Sequence, residues 1–373
     1  MRRSVTRWMT GIVPACVVLA ACAFASAQTA PADLQTKARE AIDAGLKFLQ
    51  TRMQPNGQWP GDPGVSATCA LAVVKSGRNY ANAADPLVRK PVEYLLTLRK
   101  SDGGIYEGAL SNYQTSITLQ VLIATKDPKY AEDIRKARAH LLGTQLDEKK
   151  GFKSSDVDYG SSSYGDKPKG DLSNTQMWAS ALHAAEEAGL PKDSEAWKKM
   201  TAFVSRCQNR SESNDQAKWA GNDGGYVYAP GESKAGEVTL PDGRKGLRSY
   251  ASMTYAGLMS MIYADVKKDD DRVKAAYGWV RRNYTLEENP GLGQQGLFYC
   301  YHTMAKALRA VGEPTLVDDQ GVAHDWRADL IRKLLSLQNP DGSWVNRNMR
   351  WWENDPILVT GYALLTLEEL LEK

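Results

Sequence analysis

The sequence predicts an all-α protein, an α6/α6 double-ring toroid of twelve helices in six pairs, and three observations lead there. One pairing recurs six times: an amphipathic helix, a turn with Gly and an aromatic, and then a second helix that is apolar on nearly every side. A helix with a single apolar stripe can face water on its other side, whereas one that is apolar and rich in small residues all round must be enclosed, so the alternation implies an outer and an inner layer. The aromatics at the turns and the full count of six favour closure into a ring over an open superhelical solenoid.

In the first copy Leu34, Ala38, Ala41, Ile42, Gly45 and Leu49 fall on one face, Gln54-Pro55-Asn56-Gly57-Gln58-Trp59 stops that helix, and Ser66 to Val74 is the enclosed partner. Tyr94-Leu95-Leu96 then leads through Ser101-Asp102-Gly103-Gly104-Ile105-Tyr106 to Thr115–Ala124. Ala139 to Leu142 leads through Gln145, Gly151-Phe152 and a polar insertion to Asn174–Glu187. Met200 to Val204 leads through Gln208 and Asp223-Gly224-Gly225-Tyr226 to Ser249–Tyr263. Ala275 to Tyr284 leads through Asn289-Pro290-Gly291 to Tyr299–Val311. Leu330 to Leu337 leads through Gln338-Asn339-Pro340-Asp341-Gly342-Ser343-Trp344 to the closing helix Ile357–Leu371.

Residues 1–27 read as an export signal: Arg2, Arg3 and Arg7 precede the apolar run Ile12 to Ala21, and small residues follow. Ala25-Ser26-Ala27 before Gln28 has the form of an ordinary cleavage site, while Leu19-Ala20-Ala21-Cys22 has the form of a lipobox that would leave Cys22 acylated. Both readings export the protein, to the periplasm, the medium or a lipid tether, with residues 28–373 as a single toroid. Without the signal, the formal charge of +3 falls close to neutral, which excludes a strongly basic nucleic-acid surface. No later stretch reaches the roughly 18–20 apolar residues that span a bilayer. Cys69, Cys207 and Cys300 allow at most one disulfide, and their spacing fits neither a disulfide framework nor a zinc finger; they read as buried small side chains.

The run Gln338-x-x-x-Gly342-x-Trp344 resembles the glutamine-tryptophan repeat of squalene and hopene cyclases and of protein prenyltransferase β subunits. Gln54 with Gly57 and Trp59 is a second match, and Arg99 with Gly103 to Tyr106 a looser third. The resemblance implies an α/α toroid along essentially the whole mature chain but leaves activity open, because folds host unrelated functions. Class II cyclases of that family use an Asp-x-Asp-Asp acid, to which Asp156-Val157-Asp158-Tyr159 and Glu353-Asn354-Asp355-Pro356 are incomplete matches, while Asp269-Asp270-Asp271-Arg272 reads as a solvated helix start. The family's prenyltransferases hold zinc with Asp-x-Cys and a His. Tyr301-His302-Thr303 resembles the His run, but Tyr250-Ala251-Ser252-Met253 lacks the Asp and Cys, so no metal or other cofactor is expected.

In such a ring the inner-helix N-termini gather at one mouth, where free N–H groups favour polar or anionic partners. The residues expected there as a binding surface are Asp62, Tyr113, Asp171, Arg248, Tyr250, Tyr299, Tyr301, Trp351 and Trp352, together with Asn112 and Asn174. Asp355, Glu353 and His302 are the catalytic candidates; capping competes as the role of Asp62, Asp171 and Asp355. Two polar insertions, 153–170 and 209–247, carry Tyr159, Tyr164, Tyr226 and Tyr228 and can act as lids. The expected function is a cavity that binds a terpenoid, lipid or glycan. The alternatives are a divergent terpene cyclase or isomerase, a carbohydrate-active enzyme using cavity carboxylates, and an interaction scaffold whose ring is plugged by its own aromatics.

Overall fold

The computed structural model describes residues 30–77, 85–165 and 168–372. The signal segment 1–27, with both cleavage readings and Cys22, lies outside the described residues. Twelve α-helices occur among them: α1 (Ala32–Arg52), α2 (Pro63–Lys75), α3 (Pro86–Leu96), α4 (Ser111–Ala124), α5 (Ala131–Thr144), α6 (Leu172–Glu187), α7 (Ser194–Arg206), α8 (Ala251–Tyr263), α9 (Asp271–Arg282), α10 (Leu297–Val311), α11 (Trp326–Leu337) and α12 (Pro356–Leu371).

The even-numbered helices pack side by side in chain order, and α12 returns against α2, so the inner ring is closed. Burial follows the predicted alternation: every residue of α2 from Pro63 to Val74 and of α12 from Ile357 to Leu370 is buried, whereas α1 buries only the stripe from Leu34 to Leu49. Outer helices α1 and α11 cover α12, α3 covers α2, α5 covers α4, and α7 and α9 cover α8. Cys69, Cys207 and Cys300 are free and buried within this helical core.

The corners explain why the repeat has its residues. Gln338 donates from Nε2 to the Gly342 carbonyl at 3.0 Å and to the Ala41 carbonyl of α1 at 2.9 Å. Trp344, wholly buried, donates from its indole to Leu334 at 2.8 Å, and its backbone N–H reaches Thr360 Oγ1 of α12 at 3.0 Å. Gly342 itself has φ +87°, and a Cβ there would drive into the backbone of Ala44. The sixth corner therefore docks on the first outer helix, and this contact closes the outer layer. Gln208 repeats the pattern two pairs earlier, bonding the Gly224 and Arg272 carbonyls, each at 2.9 Å.

Two corners differ from the reading of the sequence. In the third pair Gln145 bonds the Gly160 and Ala196 carbonyls, so the corner is Gly160, and Gly151-Phe152 belongs to a loop inserted ahead of it. In the fifth, Pro290 and Asn289 instead receive the N–H groups of Ala251 and Ser252 at the start of α8. Two short antiparallel hairpins decorate the connections, β1 (Glu237–Thr239) with β2 (Lys245–Leu247) and β3 (Leu316–Val317) with β4 (Ala323–His324). No described helix is long and apolar enough to cross a membrane.

Candidate binding cavity

Every inner helix contributes its first turns to one mouth of the ring. A cavity of about 480 Å³ opens there, walled by Asp62 and Val65 of α2, Tyr113 of α4, Ser173 and Asn174 of α6, Tyr250 and Met253 at α8, Tyr299 of α10, and Leu358 and Tyr362 of α12. The two insertions add Tyr164, Tyr228 and Lys234, and Trp351, Trp352 and Glu353 form the rim before α12.

The tyrosine hydroxyls bond to one another and to side chains across the ring. Tyr113 and Tyr362 meet at 3.1 Å between hydroxyls, Tyr228 donates to Tyr164 at 3.4 Å, and Tyr299 donates to Gln176 Oε1 at 3.1 Å. Burial pushes the phenols of Tyr113, Tyr228, Tyr250, Tyr299 and Tyr362 up, so all stay protonated donors. Lys234 sits 4.1 Å above the Tyr228 ring and is paired with Glu232.

The carboxylates are committed to helix starts. Asp62 caps α2 through Gly64 N at 2.7 Å, and both its oxygens receive Gln114 Nε2 at 3.0 Å. Glu353, 1% exposed, faces the first N–H groups of α10, accepting from Tyr299 N at 2.9 Å while Asn346 Nδ2 donates at 2.7 Å to its other oxygen. Burial raises its pKa, and these donors pull the other way. Gly296 precedes α10 in a left-handed conformation that leaves the helix start open for this glutamate.

Of the residues expected at the mouth, the structure brings together Asp62, Tyr113, Asn174, Tyr250, Tyr299, Trp351, Trp352 and Glu353. It places six elsewhere. Asp171 is buried behind Ser173 as the cap of α6, bonded to Asn174 N and Nδ2, and burial raises its pKa. Asp355 caps α12 through Ile357 N at 2.8 Å. Arg248 is exposed beyond the β1–β2 hairpin. Tyr301 lies two residues past Tyr299, hence on the far side of α10, where it bonds the Leu286 carbonyl. His302 faces the lumen one turn below the cavity, stacked on Tyr362 at 6.1 Å. Asn112 ties α4 to α6 through the Asn174 carbonyl at 2.9 Å. Of the four insertion tyrosines, Tyr164 and Tyr228 reach the cavity, while Tyr226 is core and Tyr159 bonds Glu148 outside it.

Tyr362 and Lys234 were missed. Tyr362 had a legible signal, as the one aromatic in Pro356–Leu371. Lys234 had none, since only the fold of its long loop brings it inward.

The sequence matches no protein-family model. Among solved structures, a type II terpene cyclase from Scytonema in complex with geranylgeranyl dihydroxybenzoate superposes with a TM-score of 0.56 at 14% identity, over 91% of this chain and 98% of that one. An inactive variant of an α-1,6-mannanase from Salegentibacter, with two aspartates changed to asparagine and α-1,6-mannotriose bound, gives 0.58 at 12% identity, over 90% and 100%. A protein from Actinoplanes gives 0.51 at 17%, over 90% and 100%. The fold is an α/α toroid. At these identities the likeness concerns the toroid alone. Among the described residues no three His, Cys, Asp or Glu side chains gather as metal ligands.

Proposed function

We propose that this toroid is an exported protein that binds a short glycan, or a similar ring compound bearing several hydroxyls, in the cavity at its mouth. The observation that carries the reading is the lining: six tyrosines and two tryptophans, nearly every ring with a polar edge, around a space of about 480 Å³. Sugar rings present C–H faces that pack on aromatics and hydroxyl edges that exchange bonds with phenols, and the volume lies in the range of about 300–1,000 Å³ usual for small-molecule sites. A pure hydrocarbon would cover Asp62 and Lys234 without offering them a partner, which is costly. Trp351 and Trp352 add support: they are 44% and 60% exposed and stand at φ +56° and +61°. Two bulky residues held left-handed at a rim store strain of roughly 1–3 kcal/mol each, which fits a role in contact with ligand.

Binding has more support than catalysis. Asp62, Asp171, Asp355 and Glu353 all serve as helix caps with bonded oxygens. Consecutive aspartates, of the kind two substitutions would remove in a hydrolase site, occur here as Asp269–Asp271 and Asp318–Asp319, and neither run lines the cavity. An open cavity also disfavours a scaffold whose ring is plugged.

The test is calorimetry and tryptophan fluorescence with neutral oligosaccharides in one arm and geranylgeraniol in the other. Oligosaccharide binding should weaken roughly tenfold in Trp352→Ala, the loss of about 1.4 kcal/mol expected for one stacked ring. Tyr299→Phe should weaken it by less. Retention of geranylgeraniol alone, or oligosaccharide binding indifferent to both substitutions, would overturn the reading.

A further inference from the structure

Below the cavity the lumen carries polar side chains that the glycan reading does not use. Tyr299 at the cavity floor donates to Gln176 Oε1; Gln176 Nε2 donates to Ser180 Oγ one turn down α6 at 2.9 Å; and Lys306 Nζ of α10 donates to the same Oγ at 3.0 Å. His302 lies one turn before Lys306, so the two side chains share a face of α10. Its Nδ1 is buried with no hydrogen-bond partner.

The charges around Lys306 are already spoken for. Lys75 of α2 pairs with Glu369 at 3.5 Å and Glu372 at 3.3 Å, and Arg309 pairs with the same two carboxylates. Lys306 has no carboxylate within 4.0 Å among the described residues, so Ser180 is its polar partner. Burial lowers its pKa to about 8 against the pull of Glu369, and burial holds His302 neutral, at about 3. An ammonium without a counter-ion beside an orphaned imidazole nitrogen is an arrangement that an anion would complete.

We propose that Lys306, His302 and Ser180 form a subsite for an anionic group, a carboxylate or a phosphate, one turn below the tyrosine cavity. The inference rests on the glycan reading for the rest of the ligand, which would then be an acidic sugar whose charged substituent reaches down the lumen. Lys306 supplies the charge, Ser180 a hydroxyl, and His302 an N–H in the tautomer protonated at Nδ1. Binding is coupled to protonation of Lys306, so affinity is full below about pH 8 and falls above it. The other titratable and charged groups facing this part of the lumen are Lys75, His183, Glu187, Tyr263, Arg309, Tyr362, Glu369 and Glu372.

The experiment follows the lysine 13Cε and 15Nζ resonances of the full protein as pH is varied, first with inorganic phosphate as the sole probe. The Lys306 signal, assigned by its loss in Lys306→Met, should titrate about one pH unit higher in saturating phosphate. Removing a buried charge in favour of an apolar chain of similar length should leave Lys306→Met folded, which its melting temperature checks. In a second arm, an oligosaccharide with one uronic acid should bind at least tenfold tighter than its neutral counterpart to the wild type, and equally in Lys306→Met. A Lys306 titration unmoved by both phosphate and the acidic sugar overturns the subsite. Neutral sugar bound with no gain from the acid also overturns it, while the glycan reading stands. A phosphate-dependent shift with neither sugar bound upholds the anion site and removes the glycan reading.

Discussion

Gly342→Ala should destabilise the protein by roughly 2–5 kcal/mol, the sum of left-handed backbone strain and a steric clash that the partner cannot relieve. The obstructing atoms are the carbonyl of Ala44 in α1, which is backbone and cannot swing aside. Yielding would mean moving α1 away from the corner, and that would stretch the Gln338 bond to Ala41 and unseat Trp344 from its place against Leu334 and Thr360. Gly231→Ala is the matched control: its φ is +81°, but nothing lies within 4 Å of the added methyl, so only the backbone term of about 1 kcal/mol applies. Urea midpoints of the two variants measure the difference. Equal losses would mean that the last corner merely touches α1 and does not hold the ring shut.

That corner was legible because its signal is local: a glutamine, a glycine and a tryptophan within seven residues, flanked by one striped helix and one enclosed helix. The third corner was misplaced for the complementary reason. Gln145 finds its glycine only after the inserted loop, and Gly151 comes first along the chain while Gly160 comes first in space. Inner-helix faces were the other blind spot. In Leu297–Val311 the stripe Tyr299, His302, Lys306 and Arg309 at helical spacing marks the lumen side and excludes Tyr301, but the run was read as uniformly enclosed, so Tyr299 and Tyr301 were both assigned to the mouth although a helix must separate them. Arg248 failed through its position on a loop, where a hairpin too short to show a period sends it to solvent. The three aspartates are caps, as the residue type at a helix start allows, and Glu353 is a cap for a helix distant in sequence, which no local pattern announces.

At the opposite end of the ring, Glu369→Gln should cost about 3 kcal/mol at pH 7, and the cost should shrink in acid. Glu369 lies in the last turn of α12, 7% exposed, where the helix's own carbonyls repel a carboxylate. It is held there by Lys75 of α2 and Arg309 of α10, and so it links the three inner helices at which the ring joins. Burial alone would raise its pKa, but Lys75 and then Arg309 outweigh that and hold it at about 2, below the ordinary 4.5. A carboxylate depressed in the folded state stabilises above its unfolded pKa and loses that contribution as pH falls toward the folded value, so the window runs from about pH 4.5 down to about 2. The depression corresponds to roughly 3 kcal/mol at most. In the variant the cations retain only Glu372, 38% exposed, as a counter-charge. Urea unfolding of both proteins at pH 7, 4 and 2.5 isolates this cluster, since acids away from Lys75 and Arg309 titrate equally in the two. A gap between wild type and variant that stays constant from pH 7 to 2.5 would show that Glu369 holds the seam through packing and hydrogen bonding, with its charge contributing nothing.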